Sequence, residues 1–232
     1  MSLRIPAWPP QWPEIEASVV RSLRSGDWGN YHSQACQTLC GELATRFSST
    51  HVRLCCSGSA AVEIALRAVG VGPGDEVVLS ALDYPGNFRS IELLGARPVL
   101  VDLAPDSVRL DRQQLEAAGS GKVKSVIVSH LFGVAADVLE IRKACGDRGW
   151  VLIEDACQVP GMRISGRLGG RTAGQADSGP TDSGPTHSGP THSGPDEAGP
   201  DEADWPAGSL GHIATLSFGG SKPLTSGLSL IH

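Results

Sequence analysis

Short apolar runs alternate with helical segments between residues 51 and 155. The runs are rich in Val, Leu and Ile, and between them apolar residues recur every three or four positions, which is typical of amphipathic helices. Strands that are apolar on both faces are typical of a parallel sheet covered by helices on both sides. We therefore expect a three-layer α/β/α domain with a mostly parallel sheet. The expected strands are 51–56, 74–80, 97–103, 122–130 and 150–155, and the expected helices between them are 59–69, 87–95, 111–118 and 136–149.

Two further helices, predicted over 14–23 and 33–47, precede the first of these strands. A chain of 232 residues is long enough for one large domain with a sizeable core. We divide it into an N-terminal arm and helix, 1–30, and a large domain, 31–232.

A five-residue repeat interrupts the large domain: residues 177–203 read DSGPTDSGPTHSGPTHSGPDEAGPDEA. Without large apolar side chains, burial cannot offset the entropy lost on ordering, so we expect a flexible insert over 175–206. Strand character returns over 208–218, which places the repeat in a loop of one domain and not between two domains. His187 and His192 are interpreted as part of a solvated linker, with metal binding as the alternative.

The charge and the cysteines narrow the class of protein. The formal net charge is −6 and no Lys/Arg-rich cluster is present, which argues against nucleic acid or an anionic membrane as the partner. The N-terminus lacks the pattern of a signal peptide, and no apolar run approaches the roughly 18 residues of a membrane span, so we expect a cytoplasmic protein. The 6 cysteines lack the C-x-x-C spacing of a zinc site and are interpreted as free buried thiols, so no metal is expected.

Ligands of open α/β sheets bind beyond the carboxyl ends of the strands, so the residues after each predicted strand are the first candidates for a site. The stretch CSGSAAVEIAL at 56–66 leads from a predicted strand into a helix through a glycine and hydroxyl residues. Residues 57–60 can therefore cradle a phosphate on the free amides of the helix N-terminus. The alternative is an ordinary capped helix with Ser57 or Ser59 as the N-cap. The stretch is neither a Rossmann fingerprint nor a P-loop.

Charged residues extend this candidate set. Glu154 and Asp155 close a predicted strand within WVLIEDACQ, where a carboxylate can hold a cationic ring nitrogen, bind a metal or cap the next turn. Lys222 ends the glycine-rich SFGGSK, where a lysine is either a solvated turn cation or a reactive amine. Each motif alone leaves its alternatives open.

The motifs form a more specific set when they are taken in order: the 57–60 cradle, the aromatic residues from Tyr84 to Phe88, Asp155 with Gln158, and SFGGSK. This set resembles the DegT/DnrJ/EryC1/StrS family of sugar aminotransferases, which use pyridoxal 5'-phosphate on the fold type I scaffold. The resemblance covers residues 26–227 apart from the repeat. It is carried by the phrases GPGDEVVLSALDYPGNF, GARPVLVDL, VSHLFG, IEDACQVPG and LGHIATLSFGGSKPLTSG.

The resemblance implies roles for individual residues. Lys222 matches the catalytic lysine, which binds the cofactor's aldehyde covalently and later carries a proton. Asp155 matches the carboxylate that keeps the pyridinium nitrogen protonated, and Gln158 matches a hydrogen-bond donor to the ring oxygen. The implied phosphate ligands are Gly58, Ser59, Ala60 and Ser217.

The aromatic residue that stacks on the cofactor ring is left open by the resemblance. Tyr84 fits by register, Phe88 is the alternative, and either residue can belong to the core. His130 closes a predicted strand in the family-like sequence HLFG, where core packing is an equal alternative.

The activity that the resemblance implies is transamination. An amino donor, typically glutamate, would give its amino group to the cofactor, which then passes it to a keto group of a nucleotide-linked sugar. Family members with histidine in place of the lysine carry out dehydration, so Lys222 favours transamination. The family builds its site at a dimer interface, so a homodimer is also implied.

The C-terminal end departs from the family. After KPLTSG, the ending LSLIH does not continue the family's sequence, so we expect the small C-terminal domain to be absent and the substrate pocket to be incomplete. Two alternatives therefore stay open. One is a non-catalytic remnant or interaction module that still binds pyridoxal phosphate, and the other is a nucleotide-binding α/β protein that uses the 57–60 cradle.

Overall fold

The computed structural model describes residues 12–166, 203–219 and 222. The strands of this part are β1 (Glu76–Ser80), β2 (Arg97–Val101), β3 (Val123–Ser129), β4 (Val151–Asp155), β5 (Arg163–Gly166), β6 (Ala203–Pro206) and β7 (Ile213–Thr215). The central sheet has 5 strands in the order β2-β1-β3-β4-β7, and every neighbouring pair in it is parallel. The parallel sheet is thus confirmed, and the carboxyl ends of its strands lie along one edge.

The helices are α1 (Pro13–Ser25), α2 (Gln34–Arg46), α3 (Gly58–Ala68), α4 (Pro85–Leu93), α5 (Arg112–Ala117) and α6 (Val138–Arg148). All six coincide with segments in which the sequence predicts a helix. The helix α4 begins two residues before its predicted start, because proline suits the first turn, where its missing amide hydrogen is not needed. The helix α6 ends at Arg148 and is capped by Gly149, whose φ of 70° is the left-handed conformation that glycine adopts most easily.

Helices cover both faces of the sheet. On one face, Val77 and Leu79 of β1 pack with Leu66 of α3 and Ile91 of α4. On the opposite face, Val78 packs with residues of α5 and α6, because successive side chains of a strand point to opposite sides. Burying one such side chain stabilises the fold by about 1.5–3 kcal/mol. The expected three-layer α/β/α arrangement is confirmed.

The predicted first strand, 51–56, is wrong. These residues run irregularly into α3, and none of them is fully buried. They have no ladder partner in the described part of the chain, since β2 and β3 flank β1 and β7 lies beside β4. An apolar run becomes a strand only when another strand offers it backbone hydrogen bonds, which the periodicity of the sequence does not reveal.

The strands β5 and β6 form an antiparallel pair that the sequence pattern did not predict. Gly166 pairs with Ala203, so the hairpin brings together the residues on either side of the repeat. Most of the predicted insert, 175–206, lies outside the described residues. Its last 4 residues are strand β6, so the insert that we continue to propose ends before Ala203.

Candidate active site

A cavity of about 280 Å³ opens at the carboxyl ends of β1, β3, β4 and β7, against the N-terminus of α3. Asp155 and Lys222 both border this cavity, although they are far apart in the sequence. Small-molecule pockets begin near about 300 Å³, so a compact ligand suits the space. The lining residues are Ser57, Gly58, Ser59, Tyr84, Asn87, Ser129, His130, Leu131, Asp155, Cys157, Gln158, Ser217, Gly219 and Lys222.

The N-terminus of α3 forms a wall of the cavity that is suited to an anion. The Ser57 hydroxyl accepts a hydrogen bond from the Ala60 amide at 3.1 Å, and the Ser57 carbonyl accepts one from Ala61 at 2.9 Å. The amides of Gly58 and Ser59 have no such partner among the described residues, and the positive end of the helix dipole favours a negative group beside them. Ala60 is not part of the lining, so the structure brings Gly58 and Ser59 to the cavity but not Ala60.

Gly58 allows this helix start to lie against two other segments. A Cβ atom at Gly58 would lie 3.4 Å from Cys157 Sγ and 3.8 Å from Ser217 Cβ. Ser217 is buried, and its hydroxyl accepts a hydrogen bond from the Gly219 amide at 3.4 Å. The Ser217 hydroxyl therefore joins the free amides and the Ser59 hydroxyl at the same wall of the cavity.

Asp155 is held at the end of β4 by hydrogen bonds. Its Oδ1 accepts from the Cys157 amide and its Oδ2 from Asn87 Nδ2, each at 3.1 Å. Asn87 Nδ2 also donates to Asp83 Oδ1 at 2.9 Å. The Ser129 hydroxyl donates to the same Asp83 oxygen at 2.8 Å. Two buried carboxyl groups, Asp83 and Asp155, therefore share one amide as their donor.

Asp83 lies in an environment that disfavours its charged form, because the effect of burial outweighs the hydrogen bonds that the carboxyl accepts. Burial raises the pKa of the Asp83 carboxyl to about 6, and the charge of Asp155 acts in the same direction, against hydrogen bonds from Ser129, Tyr84 and Asn87. Sequence reasoning missed Asp83, Asn87 and Ser129. The signal that could have found them was their position at the ends of predicted strands or at the start of a predicted helix.

Gln158 is oriented by a backbone amide. Its Oε1 accepts a hydrogen bond from the Phe132 amide at 2.7 Å. Because the oxygen is engaged, the Nε2 group is the end of the side chain that can donate to a ligand. Phe132 has a φ of 55°, in the left-handed region that phenylalanine rarely adopts, and strained backbone of this kind is concentrated at ligand sites.

Tyr84 borders the cavity, whereas Phe88 packs against the core between α3, α4 and the sheet. The tyrosine directly precedes α4 and is 50% exposed, so its ring is available to a ligand. Gly86 leaves room for this arrangement, because a Cβ atom there would lie 2.5 Å from both Ser59 Oγ and Tyr84 Cε1. Of the two aromatic residues that the sequence offered, the structure therefore brings Tyr84 and not Phe88 to the cavity.

His130 and Glu154 form a buried pair beside the cavity. His130 Nδ1 accepts from the Ala136 amide at 2.9 Å, so Nε2 carries the proton and donates to Glu154 Oε1 at 2.9 Å. Glu154 also accepts from the amides of residues 208, 210 and 211. Burial opposes the ionisation of Glu154, but the hydrogen bonds from His130 and the backbone outweigh it and lower the pKa. The pair anchors the segment that leads into β7.

Lys222 borders the cavity at the end of a turn, where its amide donates to the Gly219 carbonyl at 2.8 Å. Its charge acts on the thiol of Cys157: burial and Asp155 raise the pKa of this thiol, and Lys222 opposes them. The Cys157 thiol is therefore protonated and serves for packing, while Lys222 lies within electrostatic reach of the residues after β4.

The described residues offer neither a metal site nor a membrane-spanning helix. No group of three or more His, Cys, Asp and Glu residues in the described ranges is arranged to hold a metal ion. Within the same ranges, no helix combines the length and the apolar character needed to cross a membrane.

Solved structures share the fold. The aminotransferase from Psychrobacter cryohalolentis superposes with a TM-score of 0.75 at 22% identity, over 98% of this chain and 48% of that chain. DesV from S. venezuelae superposes with a TM-score of 0.58 at 30% identity, over 63% of this chain and 39% of that chain. The sheet and the helices that cover it thus have the fold of an aminotransferase large domain.

The sequence comparison identifies the family. The profile of the DegT/DnrJ/EryC1/StrS aminotransferase family matches residues 11–184, and the chain belongs to this family.

Curated relatives carry several names. The "Pleiotropic regulatory protein" of Geobacillus stearothermophilus is 38% identical over 68% of this chain and 42% of its own length. The "L-glutamine:2-deoxy-scyllo-inosose aminotransferase" of Streptomyces kanamyceticus is 33% identical over 69% of this chain and 39% of its own length. The "UDP-2-acetamido-2-deoxy-3-oxo-D-glucuronate aminotransferase" of Pseudomonas aeruginosa is 35% identical over 66% of this chain and 42% of its own length. The chain spans about two fifths of the length of these relatives.

Proposed function

We propose that the chain is the cofactor-binding part of a pyridoxal-phosphate-dependent aminotransferase that acts on a keto group of a nucleotide-linked sugar. One observation carries the proposal: Lys222, Asp155 and the N-terminus of α3 border the same cavity. An amine, a buried carboxylate and a phosphate-binding helix start are the groups that this cofactor needs. Membership of an aminotransferase family supports the same conclusion.

The residues at the cavity fit the cofactor. The amides of Gly58 and Ser59 provide donors for a phosphate, and a side chain at Gly58 would fill the cradle beside Cys157 and Ser217. Asp155, which is 7% exposed, can hold a cationic group without competition from bulk water. A planar ring held between the phosphate cradle and Asp155 can stack on the half-exposed side chain of Tyr84.

When bound, pyridoxal phosphate supplies an aldehyde that condenses with amines and a ring that takes up the electrons released when a neighbouring carbon loses its proton. In this proposal the Lys222 amine holds the cofactor at rest and, once released, moves a proton at Nζ as general base and acid. Asp155 keeps a proton on the ring nitrogen. Gln158 orients the ring through Nε2, and Tyr84 covers one ring face and excludes water.

The proposed substrates are a nucleotide-linked keto sugar and glutamate as the amino donor. The name of the Pseudomonas aeruginosa relative specifies a UDP-linked sugar, and a relative from Caulobacter vibrioides is named "GDP-perosamine synthase". The name of the Streptomyces kanamyceticus relative specifies L-glutamine, so both amino acids belong in the assay. We also propose a cytoplasmic location.

Cofactor attachment tests the proposal directly. Purified protein is mixed with pyridoxal phosphate, reduced with borohydride and digested, and the modified peptide is identified by mass spectrometry. We expect the label on Lys222 and its loss in Lys222→Ala. Lys143→Ala removes an exposed lysine of α6 and serves as the control. A label spread over surface lysines in both variants would contradict the proposal.

A second candidate is a non-catalytic protein that keeps the cofactor site. The name of the Geobacillus stearothermophilus relative, a pleiotropic regulatory protein, favours this reading. Mixing the cofactor-loaded chain with glutamate or glutamine distinguishes the two candidate functions. Conversion to the amine form of the cofactor, with release of the keto acid, supports the aminotransferase. Stable binding without conversion supports the second candidate.

We also propose a homodimer. Tyr84 and Phe132 are 50% and 68% exposed beside the cavity, and a second subunit would cover such large apolar side chains. Light scattering after size exclusion measures the mass of the particle, and Phe132→Ser is expected to shift it towards the monomer. A monomeric wild-type chain would contradict the proposal.

A further inference from the structure

Asn87 is fully buried, borders the cavity, and has an amide oxygen, Oδ1, with no hydrogen-bond partner in the described part of the chain. An unpaired buried acceptor destabilises a fold, whereas an apolar side chain of similar size would not. The unpaired oxygen therefore costs stability, and any role of the asparagine at this position lies in the NH₂ end of its amide.

The NH₂ end of Asn87 lies between two carboxyl groups, at 2.9 Å from Asp83 Oδ1 and 3.1 Å from Asp155 Oδ2. Carboxylate oxygens accept hydrogen bonds, so the nitrogen and not the oxygen of the amide must face them. Ser129 Oγ lies 3.3 Å from the same nitrogen and donates to both oxygens of Asp83. Asp83, positioned by Ser129, thereby determines which way the amide of Asn87 points.

We propose that Asn87 is a positioning residue, whose amide holds Asp155 Oδ2 in the orientation in which the carboxylate meets a protonated ring nitrogen, and that Asp83 in turn holds the amide. The inference rests on the proposed function. Without Asn87, the Cys157 amide would still hold Oδ1 of Asp155, but no other donor among the described residues would fix Oδ2 or separate it from Asp83.

A pair of probes isolates this role: pyridoxal phosphate, and its 1-deaza analogue, in which a C–H group replaces the ring nitrogen. Equilibrium dialysis gives the affinity of the wild-type chain and of Asn87→Leu for each probe. We expect Asn87→Leu to weaken the binding of pyridoxal phosphate by about tenfold or more, because a hydrogen bond to a charged group is lost. The affinity for the deaza analogue should stay within about twofold, because that ring has no nitrogen for Asp155 to meet.

Ile91→Ala is the matched control. Ile91 is fully buried on the same helix, α4, but packs in the core away from the cavity lining. This variant loses packing without touching Asp155, so we expect its ratio of affinities for the two probes to equal that of the wild-type chain.

A measurement without cofactor examines the hydrogen bond itself. The bond from Asn87 lowers the pKa of Asp83, and the charge of Asp155 raises it. Carbon-13 NMR of the side-chain carboxyl groups in the cofactor-free chain should therefore show the Asp83 titration move upward in Asn87→Leu and downward in Asp155→Asn.

The outcomes separate the two proposals. Equal losses for both probes in Asn87→Leu, or an Asp83 titration that neither variant moves, would show that Asn87 only packs and would overturn the positioning role. A wild-type chain that binds neither probe would overturn the proposed function, and the positioning role with it. The inference is supported if Asn87→Leu binds pyridoxal phosphate more weakly but binds the deaza analogue as the wild-type chain does. The ratio of the two affinities should then be unchanged in Ile91→Ala.

Discussion

The replacement of Asp83 by asparagine should change how the stability of the fold depends on pH. The ordinary pKa of this carboxyl is 3.8, and burial raises it to about 6. The folded chain therefore binds this proton more tightly than the unfolded chain does. Protonation of Asp83 stabilises the fold fully below about pH 4, and that contribution is lost as the pH rises through about 6.

The size of the effect follows from the two pKa values. The change from 3.8 to about 6 corresponds to about 3 kcal/mol in full. Of this, about 1 kcal/mol is lost between about pH 5 and about pH 7.5. An asparagine does not titrate, so the variant lacks this dependence. The variant also loses an acceptor for the hydroxyl of Ser129, but that cost is the same at both pH values.

Urea unfolding of the wild-type chain and of Asp83→Asn at the two pH values measures the free energies of unfolding. We expect the wild-type value to fall by about 1 kcal/mol more than the variant value as the pH rises. Asp147→Asn, at an exposed position of α6, controls for the general loss of a carboxylate. Equal pH dependence in the wild-type chain and in Asp83→Asn would show that burial does not hold the proton on Asp83.

Two further substitutions have clear expected outcomes. Gly86→Ala would place a Cβ atom 2.5 Å from both Ser59 Oγ and Tyr84 Cε1. Both atoms belong to side chains that can turn aside, so we expect the free energy of unfolding to change by no more than about 1 kcal/mol, while the displaced side chains weaken the binding of pyridoxal phosphate measured by dialysis. Unchanged binding would show that neither side chain is needed at the cavity. Both oxygens of Glu154 now accept hydrogen bonds, from His130 Nε2 and from backbone amides. In Glu154→Gln, one of these oxygens becomes an NH₂ group that faces donors, so we expect the free energy of unfolding at neutral pH to fall by about 3 kcal/mol. A loss well below about 1 kcal/mol in urea unfolding would contradict that account.

The strand and helix pattern from α3 to β4 could be predicted because each element carries its own periodicity. Alternate burial of Val77, Val78 and Leu79 on two faces, for example, requires a continuous apolar run. The strand that was predicted wrongly and the strand pair that was missed both depend on the pairing of one strand with another. The run at 51–56 has the composition of a strand but no neighbour, and the β5 and β6 hairpin has a neighbour but little strand pattern. Backbone hydrogen bonds between distant segments decide such cases.

The sequence by itself determined the family resemblance and the kinds of chemistry available: an amine at Lys222, a carboxylate at Asp155, an amide at Gln158 and a helix start at 57–60. These residues carry recognisable local motifs, so they can be found without coordinates. The tertiary structure alone decided that they border one cavity, that Tyr84 faces it, and that Asp83 and Asn87 stand behind Asp155. Hydrogen bonds and charges act through space, and the segments that meet at this edge of the sheet are dozens of residues apart in the chain.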